Sequence, residues 1–174
     1  MDKKPLTVRE VTLFGVLSAL TFGAKVAMSY LPNIEPVTLF LLVFAAVFGW
    51  KSLFITYVYV LAEILFYGIN TWNLYYLYIW LVPVVAGVLL RRWNHPVLWA
   101  VVAGVFGLLF GALCGLTDLF IGGPGYAISK WISGIPFDVT HCAGNFVLVL
   151  LLFVPLRKLT QRLAAHPTGG TPAR

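Results

Sequence analysis

Hydrophobic residues fill this chain in long runs, and the polar positions that interrupt them are few and regularly placed. The runs cover residues near 10–30, 36–50, 52–69, 73–91, 97–121 and 128–156. A helix needs about 20 apolar residues to cross a bilayer, so the pattern predicts six transmembrane helices. The second run is short, and only Trp50-Lys51-Ser52 parts it from the third. Gly122-Gly123-Pro124-Gly125 marks the break between the fifth and sixth, and Gly134-Ile135-Pro136 is a second candidate break.

Within the runs, polar residues recur three and four apart, the spacing that puts them on one helix face. On the sixth helix these are Asp138, His141 and Asn145; on the third they are Thr56, Tyr59, Glu63, Tyr67 and Asn70. The two stripes read as walls of one ligand site. Glu63 would accept hydrogen bonds or pair with a cationic group. His141 and Asn145 would meet the edge of a heterocycle, and Asp138 would fix the histidine tautomer or touch ligand. The alternative is internal pairing, for example of Asp138 with Lys130.

Composition changes the picture by placing the chain in lipid. Of 174 residues, 60% are hydrophobic and 10% charged, as expected of an all-α integral membrane protein. One domain is expected over 1–160, followed by a polar tail over 161–174. No small-residue cleavage site follows the first apolar run, so no cleaved leader is expected. Ten of the twelve basic residues, from Lys3, Lys4 and Arg9 through Lys51, Arg91 and Arg92 to Arg157, Lys158, Arg162 and Arg174, fall on one side of a six-helix arrangement. The positive-inside rule then makes both termini cytoplasmic. Lys25 and Lys130 fall in the outward half, with Glu35, Glu63, Asp118 and Asp138. Charged groups in lipid are costly, so a one-sided cluster points to an outward polar cavity. Asn33 and Glu35 sit between Pro32 and Pro36 on a stiff loop that would cap it. Trp72, Tyr75, Tyr76, Tyr78 and Trp80 crowd the start of the fourth helix, and Trp131 the start of the sixth. These are either an interfacial aromatic belt or, for one or two rings, a stacking surface for a flat ligand.

Small residues form a separate pattern. Gly15, Ala19, Gly23 and Ala27 repeat every four residues on the first helix, and Gly107, Gly111 and Gly115 on the fifth. Such ladders let helices approach closely. The second ladder reads as packing within the chain. Lys25 lies roughly 140° from the first ladder, so an inward Lys25 turns that ladder toward lipid or a partner.

The chain lacks a phosphate-binding Gly-Lys-Ser/Thr loop, a His-Glu-x-x-His metal motif and a Gly-x-Ser-x-Gly elbow. Cys114 and Cys142 read as small buried residues. No cofactor, metal, nucleic-acid partner or catalysis is expected. The rival readings are an intramembrane enzyme using Asp138 and His141 as an acid/base pair, and a structural membrane subunit.

The small-residue ladder on the first helix, the loop Pro-Asn-Ile-Glu-Pro-Val-Thr and the outward polar and aromatic cluster together resemble the substrate-binding S component of energy-coupling factor transporters. The resemblance covers nearly the whole chain. The family's Ala-x-x-x-Ala pattern is met here by small residues rather than by the alanines themselves. The resemblance implies a prokaryotic plasma-membrane subunit that binds a vitamin or related micronutrient from outside. It implies delivery through a transmembrane coupling subunit, docked on the Gly15/Ala19/Gly23/Ala27 face, and two separate ATPases. The acids favour a neutral or cationic ligand and the aromatic residues a planar one. Thiamin-type or pyridine-type vitamins fit, as does a corrinoid in a wide cavity.

Overall fold

The computed structural model describes residues 5–31 and 34–165, and every regular element among them is helical. Helix α1 (Val8–Ala27) opens on a capping box: the Thr7 hydroxyl accepts from the Glu10 amide, and the Glu10 carboxylate accepts from the Thr7 amide. That exchange satisfies backbone donors a helix start leaves free. Helix α2 (Val37–Phe48) carries no charged residue and is buried almost along its length, so it is the axis of the bundle. It packs chiefly on α5 (Leu81–Leu90) and α6 (Pro96–Ala165), while α1 packs on α3 (Ser52–Tyr67). Gly49, at φ 61°, makes the reversal from α2 into α3 through one turn of 3₁₀ helix, a conformation that favours glycine.

The fourth apolar run is two helices, α4 (Thr71–Ile79) and α5, meeting at Trp80. Pro83 is the cause: it has no amide to offer the Ile79 carbonyl four residues back. The break between 121 and 128 narrows to a single residue. Gly123 alone has non-helical angles (φ 77°, ψ −178°), and Pro124 follows it at the start of the next turn, where proline's missing donor costs nothing. Here α6 folds back on itself. A Cβ on Gly107 would meet the His141 and Cys142 backbone at 2.8 Å, and one on Gly111 would meet the Asp138 carboxylate at 2.5 Å. The limbs 96–122 and 124–165 therefore lie antiparallel in close contact. Gly134-Ile135-Pro136 is not a break; the helix runs through it. It also continues to Ala165, past the expected tail boundary at 160, and residues 166–174 lie outside the described residues.

Four continuous helical stretches are long and apolar enough to cross a membrane: Val8–Ala27, Val37–Tyr67, Thr71–Leu90 and Pro96–Ala165. The bundle has two unlike ends. One holds Glu10 ion-paired with Lys51 at 2.6 Å, Arg9 donating to the Leu163 carbonyl, and Arg157 donating to Trp93 and Asn94. This end is tightly filled by a core around Phe14, Trp99 and Phe153. The other end holds residues 28–31, 34–36, 68–71 and the Gly123 bend, and it is hollow.

Candidate functional site

An open cavity of about 820 Å³ occupies the hollow end. That volume suits a small organic molecule. Its walls come from α1, α3, α4 and both limbs of α6, and its rim includes Leu31, Ile34 and Glu35 from the proline-flanked loop. Ile34 seats against Gly144, where a side chain on the glycine would approach it to 3.3 Å.

Ion pairs organise the walls. Lys25 of α1 reaches across to Glu63 of α3, with its ammonium 5.1 Å from the centre of the Tyr76 ring and 5.4 Å from that of Tyr67. Lys130 pairs with Asp118 at 2.9 Å, and Tyr75 donates to the same Asp118 oxygen at 2.6 Å. The antiparallel register about Gly123 brings residues 118 and 130 together. Lys130 is thereby committed to Asp118, which overturns the expected alternative of an Asp138–Lys130 bridge. Glu35 accepts from the Val37 amide at 2.6 Å and the Thr38 hydroxyl at 3.1 Å, and lies 3.3 Å from His141 Nε2. The histidine's acidic partner is thus Glu35 rather than Asp138. Asp138 instead accepts from the Gly111 amide at 3.0 Å through Oδ1. Four carboxylates against two ammonium groups leave the lining with a formal charge of −2 when His141 is neutral.

Aromatic rings form the floor. Trp80 packs edge-on against Tyr76 with centroids 5.2 Å apart, and Phe110 packs against His141 at 4.9 Å. Trp72 and Tyr75 form a second edge-on pair near the rim, at 5.4 Å.

Of the residues expected at the site, Glu35, Glu63, Tyr67, Asn70, Trp72, Trp131, Asp138 and His141 line this one cavity. Asn70 has a structural duty as well: its side chain accepts from the Trp72 amide and caps α4. Tyr59 and Asn145 are not in the lining. Tyr59 is fully buried behind it, against Trp80. Asn145 ties α2 to both limbs of α6, donating toward the Thr38 hydroxyl at 3.3 Å and the Ala103 carbonyl at 3.4 Å. Asn33 lies outside the described residues. Sequence reasoning placed Asp118 and Lys130 in the outward polar cluster and Tyr76 and Trp80 among the candidate stacking rings without naming them as site residues, and did not single out Phe110. Asp118 lies five residues before Gly123 and Lys130 six after Pro124, a near-symmetry that signals their pairing once the bend is known.

Gly15, Ala19, Gly23 and Ala27 are all exposed, on the face of α1 turned away from the bundle. A Cβ on Gly15 or Gly23 meets nothing within 4 Å. Among the described residues no three His, Cys, Asp or Glu side chains gather as a metal site. No protein-family model, curated protein or solved structure matches the chain.

Proposed function

We propose that this protein is the substrate-binding membrane subunit of an energy-coupling-factor type importer, taking a vitamin-like micronutrient from outside the cell. The carrying observation is the cavity: polar and aromatic residues from separate apolar helices converge on one hollow end of an otherwise dry bundle. Buried charge in an apolar bundle is costly, and a ligand-binding role accounts for keeping it there. On this reading the chain crosses the membrane six times, because α2 and α3 reverse at Gly49 and the limbs of α6 reverse at Gly123. Arg9, Lys51, Arg91, Arg92, Arg157, Lys158 and Arg162 belong to the end opposite the cavity, which makes that end cytoplasmic by the positive-inside rule. Both termini are then cytoplasmic and the cavity opens outward. The exposed small-residue face of α1 has the shape for close docking of another helix, in the place where such a subunit meets its coupling partner. The ATPases are separate chains.

The test is mass spectrometry of small molecules released from detergent-purified protein expressed in rich medium. A stoichiometric vitamin-like compound is expected, absent from the Glu63→Ala/His141→Ala double variant. Co-expressed with a coupling module, Gly23→Leu should abolish co-purification and leave the ligand in place. A protein that carries no ligand, takes none from a vitamin panel and joins no coupling module would overturn the reading.

A further inference from the structure

The cavity's charges are unequally answered. Glu63 has Lys25, Asp118 has Lys130, and Glu35 has His141 together with the first turn of α2. Asp138 has no ion-pair partner among the described residues. Its Oδ1 takes the Gly111 amide, while Oδ2 is wholly buried and accepts no hydrogen bond. Asp138 is 6% exposed and lines the cavity. Gly111 makes the notch that holds it, because any side chain there would strike the carboxylate. Two more buried polar atoms in the lining are unanswered: Glu63 Oε1, on a carboxylate whose charge Lys25 already balances through Oε2, and, in the opposite sense, a donor. The Trp80 indole N–H donates to nothing. Buried polar groups are nearly always satisfied, and a buried charge without a partner is costlier still. A cavity whose lining holds an unanswered acceptor oxygen and an unanswered donor is the form such a site takes when its partner is a diffusible molecule.

We propose that Asp138 is the counter-ion for the charged end of an organic cation, a planar nitrogen compound that donates N–H to Oδ2 and presents an acceptor to Trp80. The inference rests on the binding reading above and narrows its ligand to a cation. It moves the recognition charge from Glu63, which Lys25 already neutralises, to Asp138. The two lysines do not offer a rival site for an anion, since each ammonium is held by its own carboxylate, and the formal charge of the lining stays negative with His141 neutral. Phe110 is contiguous with Gly111 and supplies an aromatic face beside the notch, which suits a flat cation.

Benzamidinium and benzamide make a pair of probes that isolates the charge at Asp138. Both have the same ring and a planar N–H₂ group, only benzamidinium is positive, and only benzamide has an acceptor for Trp80, so any preference for benzamidinium is not owed to Trp80. Calorimetric titration of the full-length protein in detergent should give benzamidinium an affinity about ten- to a hundredfold above that of benzamide, the range a charge-assisted hydrogen bond supplies. Benzoate should not compete. Asp138→Asn keeps the shape and should abolish the preference for the charged probe by weakening benzamidinium far more than benzamide. The ligand-free variant should melt no lower than wild type, because an unanswered charge has been removed. Gly111→Ala, which retains the charge but displaces the carboxylate, should weaken the preference without abolishing it. The proposal is overturned if wild type does not distinguish the two probes, or if Asp138→Asn distinguishes them as wild type does, the result expected of a permanently protonated Asp138. If the protein imports a labelled compound but prefers benzamide or benzoate, the importer reading stands and this one falls. If it prefers benzamidinium through Asp138 yet joins no coupling module, the importer reading falls and this one stands.

Discussion

At the end of the bundle rich in basic residues, Trp99 is fully buried, stacks on Phe153 with ring centroids 4.2 Å apart and donates its indole N–H to the Trp93 carbonyl at 3.1 Å. At the cavity end, Trp72 is 55% exposed and lines an open space. The same residue type fills one end and borders a void at the other. The difference lies in which side chains the helices bring inward. Phe14, Leu42, Ala103 and Val149 leave nothing to solvate around Trp99. Glu63 and Asp118 with their lysines, and Asp138 without one, hold the opposite walls apart, because charged groups need polar partners or water rather than aliphatic contact. Stability should therefore reside at one end and recognition at the other. Trp99→Ala should cost about 3–5 kcal/mol, the range for deleting a large core aromatic, read as a lower unfolding midpoint in detergent with ligand affinity retained in whatever remains folded. Trp72→Ala should move the midpoint by no more than about 0.5 kcal/mol, as at other half-exposed positions. Equal losses would erase the contrast.

The next largest effect divides the cavity end itself. Glu63 is almost completely buried, and its partner Lys25 is 23% exposed at the side chain. Lys25→Ala strands the carboxylate and should cost about 2–4 kcal/mol, somewhat below the loss in a sealed core because water still reaches the site. The double variant Lys25→Ala/Glu63→Ala should recover most of that loss, since no charge is then left alone. Lys130 is 42% exposed at the side chain, and Tyr75 remains to donate to Asp118 when the lysine is removed. Lys130→Ala should cost about 1 kcal/mol or less. Comparing thermal midpoints of the three variants checks the order. A double variant no more stable than Lys25→Ala would mean that the α1–α3 contact depends on packing rather than on charge.

The cavity end was legible in the sequence as a direction and not as a depth. A stripe at three- and four-residue spacing tells which face of a helix turns inward, and Glu63, Asp138 and His141 are buried as that rule requires. It does not tell where along the helix the space stops. Tyr59 lies one turn below Glu63, and Asn145 one turn below His141, each about 6 Å deeper at 1.5 Å per residue. Both fall where the helices have already closed. The floor is set at that level by Trp80 and Phe110, whose placement depends on the Pro83 break and on the register of the α6 limbs. Those are contacts between distant segments, and the periodicity of one segment carries no trace of them. The Lys130–Asp118 pair was hidden for the same reason. The outward turn of the Gly15–Ala27 face, by contrast, follows from one local fact, the inward position of Lys25 on the opposite side of α1.

The smallest effect separates two glycines on the same limb of α6. Gly107 sits where the limbs touch, and an added Cβ would lie 2.8 Å from the His141 and Cys142 backbone. Backbone cannot rotate aside, so Gly107→Ala must push the limbs apart, at a cost of about 1–3 kcal/mol as for other overpacked sites. Gly115, two turns nearer the cavity mouth, has nothing within 4 Å of that position. There the substitution meets only the helix's own preference, which favours alanine over glycine by up to about 1 kcal/mol. Gly107→Ala should thus lower the unfolding midpoint and Gly115→Ala should raise it slightly. Opposite signs at two positions eight residues apart on one helix would map where the limbs of α6 part company. The divergence must begin between them, at Gly111, where the space that a side chain would fill is given to the Asp138 carboxylate. If both variants lose stability, the limbs stay in contact up to Gly115, the notch at Gly111 is part of a closed seam, and the cavity stops short of that wall.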